Sequence, residues 1–166
     1  MKQKYWIVTI IAAVGFLAVG GLALHDPSWR YHELVDASWK GDSSRVSELL
    51  EGGADPNGLK DSNLNPTREF VYPINGAAWN NHPEVIDLLV RSGADVNVTD
   101  SHGGSPLGTA ARQGSIEAAK ALLSHGAQPQ IEPGRSTAEI ARRFGHNEIA
   151  IMVEEAVIQA HRKHEE

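Results

Sequence analysis

A few side chains of this sequence are spaced as catalytic or metal-binding groups often are. His161 and His164 stand three residues apart, so both imidazoles would share one face of a helix and could bind a metal. Asp95, Asp100 and His102 lie close together in sequence and could supply oxygen and nitrogen ligands from a loop. A solvated tail explains the first pattern and a structural loop explains the second, and we favour these simpler explanations.

The sequence lacks the local patterns of known catalytic machinery. No Ser or Thr lies on a nucleophile elbow, and no glycine cluster follows a strand pattern to bind phosphate. Cysteine is absent, which excludes disulfides, thiolate zinc sites and thiol nucleophiles. The 15 Lys and Arg residues are outnumbered by 21 Asp and Glu, and this net charge of −6 argues against nucleic-acid binding. We therefore expect no enzymatic activity, no cofactor and no metal.

Two tryptophans and two arginines are the side chains best suited to recognition. Each directly follows an Ala-Ala, Ala-Ser or Ala-Arg pair. The same position of a recurring sequence pattern is therefore occupied by Trp, Trp, Arg and Arg in turn. Tryptophan and arginine are enriched among the residues that dominate the binding energy of protein interfaces. The alternative is that each tryptophan fills a packing gap in a small core. The predicted partner-binding residues at this position are Trp39, Trp79, Arg112 and Arg143.

These positions belong to a repeat that extends through most of the 166 residues. Gly-Ala-Asp-Pro-Asn at 53–57 returns as Gly-Ala-Asp-Val-Asn at 93–97 and as Gly-Ala-Gln-Pro-Gln at 126–130. The second interval is 33 residues and the first is 40, which corresponds to one period with an insertion. Each copy follows a helical pattern that ends in paired aliphatic residues. Periods of this size are typical of solenoids built from stacked helical pairs.

The repeat resembles the ankyrin repeat. The strongest match is Ser-Pro-Leu-Gly-Thr-Ala-Ala-Arg-Gln-Gly at 105–114, which continues to Leu122-Leu123 and to Gly-Ala at 126–127. The resemblance implies an all-α ankyrin-repeat solenoid of helix-turn-helix units with hairpin-like loops, which binds proteins through its finger tips and inner helices. The expected divisions are repeats at about 33–61, 62–100, 101–131 and 132–156, with a polar helix end or tail at 157–166.

The insertion between the first two repeats supplies two further candidate partner-binding residues, Phe70 and Tyr72. They alternate with Val71, so part of the segment could be extended. Long loops in compact arrays are often functional, and these aromatic side chains would then form a side wall of the binding face. The alternative is that the insertion is merely tolerated and that its aromatic side chains fold back onto a neighbouring finger.

Local signals predict where the helices begin and end. Pro83 and Pro106 suit the first position of a helix, where the missing N–H costs nothing. Gly93 and Gly126 would end helices in a left-handed conformation. Residues 136–139, Ser-Thr-Ala-Glu, predict a capping box. The histidine typical of the family after Thr-Pro-Leu is replaced at three sites, which puts its hydrogen-bond network in doubt. The replacements are Asn75, Gly108 and Glu139.

The first 24 residues differ from the rest of the chain. Residues 7–24 carry no charge and would span about 27 Å as a helix, close to the ~30 Å core of a bilayer. We predict a signal anchor at residues 1–24, or alternatively a cleavable signal peptide, followed by a linker at 25–32. Trp29 and Tyr31 would either lie at the membrane interface or pack on the first repeat as a cap.

Lys2 and Lys4 favour a cytoplasmic N-terminus, so the remainder of the chain would be exported. We interpret the host as bacterial and the protein as a single-pass inner-membrane protein with its repeats in the periplasm. After signal cleavage the protein would instead be soluble in the periplasm or secreted.

The leading functional hypothesis is an exported, membrane-tethered repeat module that binds an unknown protein partner. One alternative is an immunity-type protein that neutralises a toxin, since an acidic surface could mask a basic enzyme. An alternative of another class is a metal-binding or small-molecule-binding protein, or a hydrolase.

Overall fold

A computed structural model describes residues 27–58, 72–100, 103–131 and 136–165 of the chain. Within these ranges every regular element is helical, which confirms the predicted all-α class. The helices are α1 Pro27–Lys40, α2 Ser43–Glu51, α3 Pro73–Trp79, α4 Pro83–Arg91, α5 Pro106–Gln113, α6 Ile116–Ser124, α7 Thr137–Arg143 and α8 Asn147–Glu165.

The helices form two stacked layers. The inner helices α1, α3, α5 and α7 contact one another in that order, and the outer helices α2, α4, α6 and α8 do the same. A short turn joins each inner helix to the outer helix that follows it, which is the geometry of a helical hairpin. The stack is therefore the solenoid that the repeat period predicts, with each pair packed on its neighbours.

A strip of alanine lets the inner helices approach closely. Ala77, Ala78, Ala110 and Ala111 are completely buried between neighbouring inner helices. Larger core side chains come from both layers and are buried as well. They are Leu34, Ile74 and Leu107 of the inner helices, and Val46, Ile86, Leu89, Leu122 and Ile149 of the outer helices. Because this core is divided among several narrow interfaces between helix pairs, alanine and aliphatic side chains are enough to fill it.

The predicted helix boundaries are confirmed by cap geometry. Pro83 and Pro106 occupy the first turn of α4 and α5. Gly93 and Gly126 follow the last residues of α4 and α6 with φ of 94° and 83°. At the start of α7 both bonds of the capping box are present, since the Ser136 hydroxyl accepts from the Glu139 N–H at 3.1 Å and the Glu139 carboxylate from the Ser136 N–H at 3.3 Å.

The N-terminal helix α1 extends through residues that we expected to form a linker at 25–32. It begins at Pro27, and Tyr31 is only 4% exposed while Trp29 packs against the core. Burial of these large aromatic side chains favours helix there. The described structure thus places Trp29 and Tyr31 on the first repeat as a cap.

The predicted signal anchor or signal peptide at residues 1–24 lies outside the described residues. Among the helices that the structure describes, none combines the length and the apolar character that crossing a bilayer requires.

The three residues that replace the family's histidine, Asn75, Gly108 and Glu139, make different hydrogen bonds. Asn75 is 1% exposed, and its Oδ1 has no hydrogen-bond partner within the described ranges. Gly108 is buried and its N–H donates to the Ser105 hydroxyl at 3.1 Å, whereas Glu139 belongs to the capping box. A common hydrogen-bond network at this position is therefore not part of the described structure.

Candidate protein-binding surface

The two tryptophans and two arginines lie at equivalent ends of successive inner helices. Trp79 and Arg143 are the last residues of α3 and α7, and Trp39 and Arg112 are the next-to-last residues of α1 and α5. Because these helices stack in order, the four residues are arranged along one edge of the inner layer. We call Trp39, Trp79, Arg112 and Arg143 the inner row.

The two tryptophans of the inner row contact each other. Their ring centroids are 6.1 Å apart and their planes differ by 25°, which is an offset stack. Trp39 keeps 37% of its surface exposed, and Trp79 is half-buried. The pair therefore packs between repeats and still presents aromatic surface, so the packing and binding alternatives are physically compatible here.

The two arginines of the inner row carry exposed charge. Neither Arg112 nor Arg143 has an ion-pair partner among the described residues, and both side chains are exposed. Their neighbours in the inner layer differ, since Lys40 lies 2.6 Å from Asp36 and Arg142 pairs with Glu154 through two bonds of 2.6 and 2.7 Å. The second half of the inner row thus presents two exposed guanidinium groups that form no ion pair with another described residue.

Hydrogen bonds between adjacent repeats hold the backbone beneath the tryptophans. The Trp39 carbonyl accepts from Asn80 Nδ2 at 3.0 Å and is 3.2 Å from His82 Nε2, which donates to it. The Trp79 carbonyl accepts from the Ser115 hydroxyl at 3.1 Å. The sequence pattern did not predict these supporting bonds. Their positions could have indicated them, because Asn80 directly follows a tryptophan of the inner row, and His82 and Ser115 directly precede the outer helices α4 and α6. The bonds limit relative motion of the tryptophans and so reduce the entropic cost of binding.

Tyr72 lies at the other end of the same helix from Trp79. It directly precedes α3, is half-buried and packs against the core. The seven residues of α3 separate it from the inner row by about 10 Å along the helix axis. Burial raises the pKa of Tyr31 well above its usual range, and the nearby Tyr72 and Asp55 add to this shift. Phe70 lies outside the described residues.

The candidate metal ligands are used by the backbone where the structure describes them. Asp95 Oδ1 accepts from the Asn97 N–H at 2.8 Å, and Asp100 Oδ1 accepts from the Gly104 N–H at 2.7 Å. His161 Nδ1 lies 2.8 Å from the Val157 carbonyl. His102 and the side chain of His164 lie outside the described residues. In the part of the chain that is described, no group of His, Asp and Glu is arranged to hold a metal.

The finger tips, which are the loops that follow the outer helices α2, α4 and α6, are linked by asparagine side chains. Asn57 Nδ2 donates to the Gly93 carbonyl at 2.8 Å, and Asn57 Oδ1 accepts from the Asp95 N–H at 2.6 Å. Asn97 Oδ1 accepts from the Gln128 N–H at 2.7 Å in the next finger. Asp55 and Asp95 each bond a backbone N–H within their own loop, whereas the asparagine bonds join neighbouring loops. The finger tips are therefore a connected edge of the stack.

Comparison with known proteins gives a consistent result. The family model described as ankyrin repeats (3 copies) matches residues 34–133 and 74–159. The chain is 31% identical over 121 residues to cyclin-dependent kinase 4 inhibitor B of Bos taurus, covering 71% of this chain and 86% of that protein.

Two other relatives are much longer than this chain. Identity is 33% over 107 residues to palmitoyltransferase Hip14 of Drosophila melanogaster, covering 64% of this chain and 16% of that protein. It is 31% over 94 residues to the RelA-associated inhibitor of Mus musculus, covering 57% and 11%. The chain thus spans only a small part of these two relatives.

Proposed function

The chain belongs to the ankyrin-repeat family, and from that premise we propose that it is an exported, membrane-tethered module that binds a protein partner through the inner row. The observation that carries this proposal is the Trp39–Trp79 stack, which keeps aromatic surface exposed. Beside it lie two exposed arginines that have no ion-pair partner among the described residues. The role is binding rather than catalysis. Repeats of this family mediate protein–protein contacts, and the inner row concentrates the residue types that dominate such contacts.

The membrane tether rests on the sequence of residues 1–24. Their uncharged stretch is long enough to span a bilayer, and Lys2 and Lys4 precede it. The relatives named above are from animals, so the bacterial inner membrane and the periplasm are proposed from this N-terminal sequence alone.

Partner capture from intact membranes tests the binding role. The full-length chain, cross-linked and purified with its partner for mass spectrometry, is compared with the double variant Trp39→Ala/Trp79→Ala. The matched control is Ile151→Ala/Ile158→Ala, which removes two exposed hydrophobic side chains of α8, 55% and 52% exposed, away from the inner row. We expect the tryptophan variant to lose the partner and the isoleucine variant to keep it.

Thermal melts of both variants complete the test. We expect the tryptophan variant to melt below the control, because the stack contributes to stability, but to remain folded at the temperature of the capture. A tryptophan variant that is unfolded at that temperature would assign the two tryptophans to the core, and the site assignment would be wrong. Capture that is equal in both variants, with both folded, would overturn binding at the inner row.

A fusion of alkaline phosphatase to the C-terminus tests export, because that enzyme is active only outside the cytoplasm. Active fusion that stays in carbonate-washed membranes is the expected result. An active fusion in the soluble fraction would indicate that residues 1–24 are a cleaved signal peptide and not an anchor. An inactive fusion would contradict export.

A further inference from the structure

We propose that the partner docks on the inner row through an acidic segment, whose carboxylates bind Arg112 and Arg143 while its apolar or aromatic end packs on the tryptophan pair. This inference rests on the proposed function and specifies the chemistry of the partner. It follows from the uneven distribution of charge along the inner row.

The first half of the inner row carries no net unpaired charge. Lys40 follows Trp39, and its ammonium group is neutralised by Asp36 at 2.6 Å. Asn80 follows Trp79 and is uncharged. The exposed surface of this half is therefore aromatic and polar, and it suits an apolar or aromatic side chain of the partner.

The second half of the inner row is positive. Arg112 and Arg143 are exposed on adjacent inner helices and have no acidic partner among the described residues. The neighbouring cation Arg142 is neutralised by Glu154. The nearby Glu139 accepts from the Ser136 N–H in its capping box and keeps its negative charge, so the charges of Arg112 and Arg143 together outweigh it. These two guanidinium groups have no ion-pair partner within the described ranges, and on a chain of net charge −6 they form a local site for carboxylates.

Two other exposed arginines lie elsewhere. Arg91 and Arg162 also have no ion-pair partner in the described ranges, but they belong to the outer helices α4 and α8. They therefore provide a control for charge in general, as opposed to charge in the inner row.

The stacking of the helices sets the length of the segment. Packed helices are separated by about 8–10 Å, so the three intervals from Trp39 to Arg143 span roughly 24–30 Å. A helix of about 16–20 residues or an extended segment of about eight residues covers this distance. The carboxylates should be grouped at one end of the segment, because Arg112 and Arg143 are only one interval apart.

Selection from a displayed library of random 20-residue peptides tests this inference, with the full-length chain in detergent micelles as the target. We expect the enriched peptides to combine an aromatic or apolar end with an acidic end. For a resynthesised peptide, Arg112→Glu/Arg143→Glu should raise the dissociation constant at least about tenfold. The control Arg91→Glu/Arg162→Glu should change it less than about twofold. A peptide with Lys in place of its acidic residues should recover binding to the inner-row variant.

The outcomes separate this inference from the proposed function. Peptides that depend on Trp39 and Trp79 but bind equally well after their carboxylates become amides would overturn the acidic partner and leave the binding role intact. An equal loss in both arginine variants would also overturn it, because a general charge effect would explain the result. A library without enrichment, or peptides insensitive to all four residues of the inner row, would contradict both proposals.

Discussion

Asn81 Oδ1 accepts a hydrogen bond from the backbone N–H of Ala118 at 2.9 Å, across the boundary between two repeats. Ala118 is the third residue of α6, where a helix has no N–H partner of its own. The residue that would normally cap α6, Ser115, instead donates its hydroxyl to the Trp79 carbonyl. Asn81 therefore caps the helix of the next repeat, and Ser115 is released to support the inner row.

Substitutions of Asn81 should separate its backbone role from its capping role. Its φ is 59°, a left-handed value that asparagine tolerates better than alanine. Asn81→Ala should lower the free energy of unfolding by about 2–3 kcal/mol, because it loses the cap and adds backbone strain. Asn81→Gly should cost only about 1 kcal/mol, since the strain is avoided. Asn81→Asp keeps the acceptor and should remain near the wild type. Urea denaturation measures all three, and equal losses for Ala and Asp would contradict the capping role.

Two glycines of the third repeat test the close approach between repeats. Both need positive φ, 79° for Gly114 and 83° for Gly126. A Cβ at Gly114 would lie 2.5 Å from the His146 ring, whereas a Cβ at Gly126 would meet nothing within 4 Å. Gly126→Ala should cost about 1–2 kcal/mol from strain alone, and Gly114→Ala at least about 1 kcal/mol more.

The excess cost of Gly114→Ala should shrink in the background His146→Ala, which removes the ring that the new methyl group would meet. Unfolding free energies of the single and double variants measure this difference. An excess that persists without the ring would assign the cost to the backbone.

Local signals explain how much of this structure could be predicted. Pro106 fixes its own φ, and Gly126 adopts the left-handed conformation without steric cost, so each indicates a helix end without knowledge of the rest of the fold. The inner row was likewise predictable, because the repeat period alone sets its phase. By contrast, the bond between Asn81 and Ala118 joins residues 37 positions apart, and it exists only because the repeats stack. The start of α1 was missed for a similar reason, since Tyr31 is buried by contacts with distant residues such as Gly58.

The tryptophan stack should contribute measurably to stability. We expect a double-mutant cycle of Trp39→Ala and Trp79→Ala to give a coupling of about 0.5–1.5 kcal/mol, because the rings are stacked at 6.1 Å. Trp79→Ala should cost more than Trp39→Ala, since Trp79 is the more buried of the two. Urea denaturation of the four proteins measures the coupling. A coupling near zero would show that the rings do not stack in solution.

The asparagines of the finger tips should contribute unequally. Among the described residues, Asn57 makes two bonds to the next finger, to the Gly93 carbonyl and the Asp95 N–H, whereas Asn97 makes one, to the Gln128 N–H. Asn57→Ala should therefore cost about 1–2 kcal/mol and Asn97→Ala about half as much. Hydrogen exchange of the Asp95 and Gln128 amides provides a local check, because each variant should speed the exchange of its own partner only. The reverse order of stability would contradict the two-bond arrangement.

The pair of Arg142 and Glu154 should make the C-terminal end of the stack sensitive to acid. The two guanidinium bonds lower the pKa of Glu154 below its ordinary range. Because the folded pKa lies below the unfolded pKa, the pair stabilises the fold above the unfolded value, and this contribution is lost as the pH falls through the folded value. In an NMR titration of the side-chain carboxyl carbons, Arg142→Gln should return the pKa of Glu154 toward its ordinary range. Arg91→Gln, which changes an exposed arginine of α4 instead, should leave it in place. If Glu154 titrates identically in all three proteins, the pair does not form in solution, and Arg142 would add a further positive charge beside Arg143.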